Sequence, residues 1–299
     1  MNTTHEAQPA LDFGARDIGV VVVTHASAST IEACLEALLA ARHVVRLLVV
    51  DNASPDDTAE RVERMVRRDP RLGLVRNLEN RGFAAACNQG ATAIAQPWIA
   101  FVNPDAFVAR DTLSRLVEHA IARPGAGLLG VEQRDEQGLP DPASRRADPS
   151  LREQLFTLGR RENLFLGRDP AQDVQAVDAV SGALMLLPAV LFARLDGFDE
   201  GFRLHAEDLD LCRRVREAGY EVVVANDLAV THLRGVSSRR RPVWVEFQKH
   251  RGLWRYFRKF EAAHVPAWQR PLVFVALWLH FPLALLTQAW QRRRQAGKS

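Results

Sequence analysis

Carboxylate side chains that could bind a metal ion or accept a proton stand at three places in this sequence: Asp51, Asp105 and the pair Glu207-Asp208. A carboxylate at the end of a buried strand can accept hydrogen bonds from a nucleobase or ribose, and its hard oxygen suits Mg²⁺ or Mn²⁺. A carboxylate held in a crevice can act as a general base. Each place also has a structural interpretation, because acids favour turns and the first turn of a helix.

Two further motifs could contribute to the same chemistry. Residues 80–90 read N-R-G-F-A-A-A-C-N-Q-G, and their small side chains would let a helix start lie close to a ligand. Backbone N–H groups at that start, together with Arg81, would favour a phosphate. His232, at the end of V-A-V-T-H, is a candidate metal ligand. The alternatives are tight packing through the alanines with a solvated Arg81, and a structural histidine.

The elements that would position these residues alternate along the chain. Short aliphatic runs are typical of strands buried on both faces, and apolar residues three and four apart indicate helices between them. The pattern predicts an α/β protein with a mostly parallel sheet that is covered on both sides. The predicted strands are 18–23, 47–50, 72–75, 98–102, 180–187 and 220–224, and the predicted helices are 29–41, 58–68, 84–95, 112–122 and 208–218.

Polar residues directly follow three of the predicted strands: Thr24 and His25, Asp51 and Asn52, and Asn103 to Asp105. Because the carboxyl ends of parallel strands meet at one edge of a sheet, we expect these residues to share one crevice. No G-x-G-x-x-G follows the first strand, which argues against a dinucleotide-binding turn. Residues 133–175 carry several prolines and many charges and predict a long loop with short helical pieces, of a kind that is usually functional or mobile.

Eight motifs, taken in order, resemble glycosyltransferase family 2, the inverting enzymes with a GT-A fold. They are V-V-V-T-H, V-V-D-N-A-S, N-R-G-F-A-A-A-C-N-Q-G, F-V-N-P-D, S-G-A-L-M-L, L-D-G-F-D-E-G-F, E-D-L-D-L-C-R-R and H-L-R-G-V-S. The resemblance covers residues 17–240 and is strongest to the rhamnosyltransferase-like branch, which builds bacterial surface polysaccharides. The fold it implies is α/β, the GT-A nucleotide-diphospho-sugar transferase fold with a mostly parallel central sheet.

The resemblance implies a role for each candidate residue. Asp208 would be the catalytic base, with Glu207 beside it, and Asp105 and His232 would bind the metal, Mg²⁺ or Mn²⁺. Asn103 stands where the family's D-x-D motif has its first Asp, and T-H-A stands where T-Y-N is usual. The expected donor-binding residues are Thr24, His25, Asp51, Asn52, Arg81, Gly82, Asn88 and Asn103.

The implied activity is transfer of a sugar, with L-rhamnose from dTDP-L-rhamnose as the leading donor, to a lipid-linked or polysaccharide acceptor. The metal and Arg81 would offset the charge that develops on the nucleotide diphosphate, while Asp208 would take the proton of the acceptor hydroxyl. Two rivals stay open: a non-catalytic nucleotide-sugar or membrane-binding module, and a different nucleotide-binding enzyme such as an oxidoreductase. The linkage formed and the oligomeric state are also open.

Charge is distributed unevenly along the chain, although the net charge is only +3. Residues 236–299 hold 13 Lys and Arg against two acids, together with five of the six Trp. Three scattered cysteines and no signal-like start favour a cytosolic protein, and no nucleic-acid motif accompanies the basic charge. We predict a GT-A domain at 17–240 and a basic, Trp-rich helical region at 241–299.

Two stretches of this basic region predict helices that associate with a membrane. One carries apolar and aromatic residues at steps of four and three: Val243, Phe247, His250, Trp254 and Phe257. The other, residues 272–289, is almost continuously apolar but contains His280 and Pro282. We predict peripheral, interfacial insertion at the anionic cytoplasmic face of the inner or plasma membrane. A true span and docking on a protein are the alternatives.

Overall fold

The computed structural model describes residues 15–148, 164–233 and 242–296 of the chain. The strands are β1 (Ile18–Thr24), β2 (Val44–Asp51), β3 (Leu72–Arg76), β4 (Trp98–Val102), β5 (Ala106–Phe107), β6 (Ala126–Arg134), β7 (Val174–Val177), β8 (Leu184–Pro188) and β9 (Glu221–His232). The helices are α1 (Ile31–Ala40), α2 (Thr58–Val66), α3 (Phe83–Ala91), α4 (Thr112–Ala122), α5 (Ala189–Arg194), α6 (Glu207–Glu217), α7 (Pro242–Tyr256) and α8 (Arg270–Ala296).

The strands form one mixed sheet in the order β3-β2-β1-β4-β8-β6-β9-β5, with β7 also paired to β9. Pairing is parallel along β3-β2-β1-β4 and between β6 and β9. Strand β8 runs antiparallel between β4 and β6, and β5 and β7 run antiparallel to β9. The predicted α/β class is confirmed, and the parallel half brings the ends of β1, β2 and β4 to one edge.

Burial on both faces explains why β1 is a continuous aliphatic run. All seven of its residues are buried. Val20 and Val22 face the core formed with α1, α2 and α4, whereas Val21 and Val23 face the core formed with α3, α6 and α7. Because successive side chains alternate between faces, a strand covered by helices on both sides needs an apolar residue at nearly every position.

The sequence pattern misplaced part of the second half of the sheet. Strand β6 and the short helix α5 were not predicted, and β9 continues to His232 instead of ending at residue 224. Two polar residues, Asn226 and Asp227, interrupt the apolar run of β9, and the pairing with β6 shifts register there. Residues 149–163 of the predicted loop lie outside the described residues. Its remaining part overlaps the end of β6 and the first two residues of β7, and contains the short 3₁₀ turn Pro142–Ser144.

The C-terminal region is helical, as predicted, but the predicted apolar face of its first helix, α7, is not fully exposed. Tyr256, at the end of α7, and Phe257, in the π-helical segment Phe257–Glu261 that follows, are 1% and 0% exposed. His250 is 1% exposed, whereas Val243 is 57% exposed. The predicted apolar face of α7 is therefore divided between packing and solvent. The predicted boundary at residue 240 falls outside the described residues, and the two-domain division stays a prediction.

Helix α8 is the one helix, among the described residues, that is long and apolar enough to cross a membrane. The qualifying segment is Arg270–Trp290, with mean hydropathy 1.8. Only 11% of its apolar window is buried within the protein. Pro282 lies inside α8 without ending it. Length and composition alone do not separate a span from a helix that lies on a surface.

Gly90 offers a test of how closely α3 packs on the sheet. A Cβ atom there would lie 2.5 Å from Val21 Cγ1 and 3.2 Å from Val50 Cγ2. Alanine normally stabilises a helix relative to glycine, but the overlap should outweigh this gain, so Gly90→Ala should destabilise the protein by about 1–3 kcal/mol. Thermal unfolding measures the effect. Gly125→Ala is the control, because its nearest neighbour would be 3.6 Å away. A Gly90→Ala protein as stable as the wild type would contradict this packing.

Candidate active site

The ends of β1 and β2 are joined by a buried hydrogen bond. Thr24 Oγ1 donates to Asp51 Oδ1 at 2.9 Å, and the backbone N–H of Ser54 donates to Asp51 Oδ2 at 3.1 Å. Thr24 is fully buried and Asp51 is 3% exposed. Asp51 therefore does hold the turn that follows β2, while each of its oxygens keeps a second acceptor position. Its predicted contact with a nucleobase stays a prediction.

Asn52 organises the loop that leads into α3. Its side-chain amide donates to Asn80 Oδ1 and to the Gly82 carbonyl, each at 3.1 Å. Its Oδ1 accepts from the Arg81 backbone N–H at 3.0 Å and from the Asn77 side chain at 3.2 Å. Asn52, which is 2% exposed, therefore forms hydrogen bonds with the residues on both sides of Arg81. Arg81 itself is exposed to solvent.

Gly82 is required at the start of α3 for two reasons. Its φ is +91°, and a Cβ atom would lie 2.8 Å from the Arg203 carbonyl oxygen. That same oxygen accepts the Phe83 N–H at 3.0 Å, so this first amide of α3 is not available to a phosphate. Ala84 and Cys87 belong to the core, which favours the packing interpretation of the alanine run.

Two predicted donor-binding residues are held by backbone groups. The Asn88 amide donates to the Phe198 carbonyl and accepts the Phe198 N–H, both at 2.8 Å. This pair ties α3 to the segment before α6. His25 Nδ1 lies 3.1 Å from the Asn52 carbonyl oxygen. Contacts of either residue with a donor remain predictions.

Asp105 and His232, the two residues predicted to bind the metal, lie side by side, and their binding of a metal stays a prediction. Asp105 Oδ1 is 3.2 Å from His232 Nε2, and Gln133 Oε1 is 3.1 Å from His232 Nδ1. The β5–β9 pairing produces this contact by aligning Ala106 with His232. Gln133, on β6, contacts the ring nitrogen that does not face Asp105 and so holds the imidazole in one orientation. Metal-binding histidines are commonly oriented by a hydrogen bond of this kind.

The chemistry of this pair suits a divalent cation that shares its coordination with a substrate. One carboxylate oxygen and one imidazole nitrogen are ligands that Mn²⁺ accepts, and Mg²⁺ or Mn²⁺ commonly takes its remaining ligands from phosphates and water. No cluster of three or more metal-ligating side chains occurs in the described parts of the chain. Asp105 and His232 are therefore two side chains that could contribute ligands to a divalent cation.

Asp208 is held at the start of α6 by three donors. Arg146 Nη2 donates to Oδ2 at 2.6 Å, the Gly182 N–H donates to Oδ2 at 3.1 Å, and the Leu209 N–H donates to Oδ1 at 2.8 Å. Burial alone would raise the pKa of Asp208, but the Arg146 charge and these hydrogen bonds outweigh burial and lower it. The carboxylate is therefore ionised at neutral pH and keeps an acceptor position on Oδ1.

The pKa of Glu207 shifts in the opposite direction to that of Asp208. Its side chain is buried, and Oε2 has no hydrogen-bond partner among the described residues. Burial, together with the negative charge of Asp208, raises the pKa of Glu207 to about 8. His205 and Ala206, which precede it, both have left-handed backbone, with φ of +67° and +69°. Such strain is uncommon for residues other than glycine and concentrates at functional sites.

The loop before β8 connects the two carboxylate sites. The Asn103 N–H donates to the Ala183 carbonyl at 2.9 Å, and the neighbouring Gly182 N–H donates to Asp208. Asn103 also precedes Asp105 by two residues in the same turn. An ionised carboxylate beside a site for a cation and phosphates can remove a proton from a hydroxyl that attacks a phosphate-activated centre.

Arg146, which pairs with Asp208, and Asp148, which holds the same segment in place, were missed by the sequence analysis. Arg146 also donates to the Val180 carbonyl, and Asp148, two residues on, accepts from Arg213 at 2.6 Å and from Tyr256 Oη at 2.6 Å. Burial would raise the pKa of Asp148, but Tyr256 and the two arginines Arg213 and Arg216 lower it. No local pattern marks these residues, because their partners are 62 to 108 positions away.

The pKa of Glu207 predicts a pH-dependent stability. The folded state holds the Glu207 proton more tightly than the unfolded chain, so this contribution is complete below about pH 4.5 and is lost as the pH rises through about 8. Relative to Glu207→Gln, the wild type should lose about 1 kcal/mol or more of unfolding free energy between pH 5 and pH 8.5. Denaturant unfolding at each pH measures this, with Glu36→Gln on α1 as an exposed control. Parallel pH curves for wild type and Glu207→Gln would contradict it.

Known proteins match this chain in both sequence and fold. An "N-acetylglucosaminyl-diphospho-decaprenol L-rhamnosyltransferase" of Mycobacterium tuberculosis (strain H37Rv) is 27% identical over 85% of this chain and 87% of its own length. "Rhamnosyltransferase WbbL" of Escherichia coli (strain K12) is 26% identical over 67% of this chain and 77% of its own length.

Two solved structures share the fold. The mannosyltransferase PcManGT of Pyrobaculum calidifontis, in complex with GDP-Man and Mn²⁺, has a TM-score of 0.60 at 23% identity and covers 97% of this chain and 78% of that one. S. aureus TarS (residues 1–349) in complex with UDP has a TM-score of 0.54 at 17% identity, over 86% and 77%. The GT-A-like fold that the motifs predicted is confirmed.

The family itself is given by a direct match. The model of glycosyl transferase family 2 aligns with residues 19–172, more than half of the chain. This span contains Asp51, Arg81 and Asp105. The carboxylates of α6 and His232 lie beyond it but join the same edge of the sheet. The chain belongs to glycosyltransferase family 2.

Proposed function

We propose that the protein is an inverting glycosyltransferase that moves L-rhamnose from dTDP-L-rhamnose to a lipid-linked glycan in bacterial surface polysaccharide synthesis. The observation that carries the chemistry is the ionised, triply hydrogen-bonded Asp208 linked through Gly182 and Ala183 to the Asp105 turn. The rhamnosyl specificity is supported by the names of the two rhamnosyltransferase relatives, and the lipid-diphosphate acceptor by the name of the Mycobacterium tuberculosis relative.

The donor would bind at the edge of the sheet formed by β1, β2 and the loop before α3. Asp51 would accept from the nucleobase through the acceptor positions that Thr24 and Ser54 leave open. The exposed Arg81 side chain, on a backbone fixed by Asn52, would lie against the diphosphate. A fixed backbone reduces the entropy that a cation loses when it binds an anion.

Asp105 and His232 would hold Mg²⁺ or Mn²⁺. When bound, the cation supplies positive charge that stabilises the leaving nucleotide diphosphate. The Asp105–His232 distance of 3.2 Å and the Gln133 contact keep both ligands facing one position. Arg81 and this pair together would offset the negative charge on the leaving group.

Asp208 would perform the proton transfer. As the acceptor hydroxyl oxygen bonds to the anomeric carbon, the bond from that carbon to the diphosphate oxygen breaks, and the hydroxyl proton moves to Asp208. Attack from the face opposite the diphosphate inverts the anomeric centre. Arg146 keeps Asp208 ionised and oriented, at the expense of basicity, because it lowers the pKa. Glu207, protonated near neutral pH, would donate a hydrogen bond rather than act as the base.

The base assignment predicts a specific loss. Asp208→Asn keeps the shape of the side chain but cannot accept a proton, so turnover should fall about 10²-fold or more while donor binding stays near wild type. Transfer is measured with dTDP-rhamnose, UDP-sugars and GDP-sugars, and donor binding by calorimetry. Glu207→Gln is the matched variant and should lose less than about tenfold, because its carboxyl is already protonated. Wild-type turnover in Asp208→Asn would remove Asp208 from the mechanism.

The metal assignment predicts a loss that can be read without turnover. Asp105→Asn and His232→Gln should each weaken Mn²⁺ binding in the presence of dTDP by about tenfold or more, measured by electron paramagnetic resonance of free Mn²⁺. His119→Gln is the control, because His119 pairs with Asp227 on a different part of the surface. Equal Mn²⁺ affinity in all three variants would exclude Asp105 and His232 as the ligands.

Membrane association is proposed from the exposed side of α8. Apolar side chains that are 46% to 67% exposed recur along it at helical spacing: Leu272, Val275, Leu279, Leu283, Leu286 and Trp290. A continuous exposed apolar stripe on a helix is typical of a surface that contacts a membrane or another protein. We infer that this stripe lies in the interface of an anionic cytoplasmic leaflet, where the basic charge of the tail supports it.

This inference predicts a loss of vesicle binding. Replacing Leu279 and Leu283 together by Ser removes apolar area that would enter the bilayer, so partitioning onto phosphatidylglycerol-containing vesicles should fall by about tenfold or more. Cosedimentation measures it. The control is Val190→Ser, which alters a 53%-exposed valine on α5. Equal partitioning of the double variant and the wild type would contradict membrane insertion of α8.

A further inference from the structure

A cationic cavity of about 540 Å³ lies beside α6, outside the site described above. It forms where the segment around Asp199 meets the last turns of α7 and the π-helical segment. Its lining holds four cations, one acid, one indole and a glycine: Arg251, Arg255, Arg258, Lys259, Asp199, Trp254 and Gly201.

Two of the four cations have structural partners. Arg255 Nη2 lies 2.7 Å from Asp199 Oδ1, and Lys259 Nζ lies 2.9 Å from Asp199 Oδ2 and 2.6 Å from Asp210 Oδ1. Burial would raise the pKa of Asp199, but its hydrogen bonds to Lys259 and Arg255 hold the pKa at about 2. These contacts fix the wall of the cavity.

The other two cations that line the cavity are Arg251 and Arg258. Neither forms an ion pair with a carboxylate in the described residues. The four cations therefore have two carboxylate partners, Asp199 in the lining and Asp210 behind it, which leaves an excess of two positive charges. Such an excess favours a ligand that carries more than one negative charge, and guanidinium groups suit phosphate oxygens in particular.

Gly201 leaves room for Arg255 in the wall of the cavity. A Cβ atom at residue 201 would overlap the Arg255 guanidinium where it reaches Asp199, so a larger residue would displace the end of this side chain. The Arg255 guanidinium also lies 5.3 Å from the centre of the Phe202 ring, within cation–π range. Arg255 is thus positioned before any ligand arrives.

The cavity lies between the catalytic helix and the apolar surface of α8. Lys259 reaches Asp210, one turn after Glu207 on α6. On the other side, the Trp254 ring packs edge-to-face on Phe274 of α8, with centroids 5.0 Å apart. Phe274 is itself 42% exposed. A ligand with an anionic head in the cavity could therefore continue into an apolar part along α8.

We propose that this cationic cavity binds the diphosphate of a lipid-linked acceptor, with the lipid lying along α8. This proposal rests on the proposed function for the identity of the acceptor and extends it by naming the residues that would hold its diphosphate. Arg251 and Arg258 provide the free charge, Arg255 and Lys259 the fixed wall, and Trp254 the transition to lipid. Inorganic pyrophosphate and anionic lipid headgroups share this chemistry, and the test separates them.

The test measures binding of farnesyl diphosphate to the full-length protein in nanodiscs of zwitterionic phosphatidylcholine. The double variant Arg251→Gln with Arg258→Gln removes two unpaired charges and leaves the ion pairs of Asp199 intact. It should weaken farnesyl diphosphate binding by about tenfold or more and leave dTDP binding unchanged. Arg67→Gln with Arg68→Gln, two exposed arginines after α2, is the charge-matched control and should bind like the wild type.

Each other outcome contradicts the proposal in a distinct way. Equal weakening of farnesyl diphosphate binding in the Arg67/Arg68 control would mean that binding depends on the overall charge of the protein and not on the cavity. Loss of dTDP binding with farnesyl diphosphate unaffected would assign the cavity to the donor. Competition by inorganic pyrophosphate at the same concentration as farnesyl diphosphate would exclude a contribution of the lipid, and full competition by phosphatidylglycerol would make the cavity a headgroup site. Since no transfer is needed, a protein inactive with every donor can still bind farnesyl diphosphate, so failure of the proposed function is distinguishable from failure of this inference.

Discussion

The first turn of α6 concentrates negative charge that the fold must neutralise. Asp208 and the fully buried Asp210 carboxylate lie there beside Glu207. Burying an unpaired carboxylate costs several kcal/mol, and the helix dipole offsets only part of that cost. Three solutions are used: Arg146 pairs with Asp208, Arg214 and Lys259 pair with Asp210, and Glu207 keeps its proton.

These counter-charges explain why distant segments meet at one helix. The segment before residue 148 supplies Arg146, and Asp148 then fastens that segment to α6 through Arg213 and to α7 through Tyr256. Gly252 allows α7 to approach the strained residues before α6, since a Cβ atom there would lie 2.7 Å from the His205 carbonyl oxygen. The C-terminal region is therefore part of the support of the carboxylates of α6, and removing it would remove these contacts as well.

The parallel half of the sheet and its edge could be predicted, because each element there is specified locally. The valine run of β1 and the Asp51 and Asp105 turns carry their own signals. The supports could not be predicted, because Arg146 and Asp208 are 62 residues apart and no local pattern pairs them. The aromatic spacing of α7 predicted a helix correctly, but whether Phe257 meets lipid or the core depends on tertiary packing that periodicity does not encode.

The proposed reaction is a single displacement in which Asp208 takes the proton of the acceptor hydroxyl. The most direct test is the anomeric configuration of the product, determined by nuclear magnetic resonance after transfer from dTDP-L-rhamnose with Mn²⁺. A single displacement predicts a product whose anomeric configuration is opposite to that of the donor. A product that retains the donor's configuration would require a second displacement or a different route, and would contradict the role assigned to Asp208.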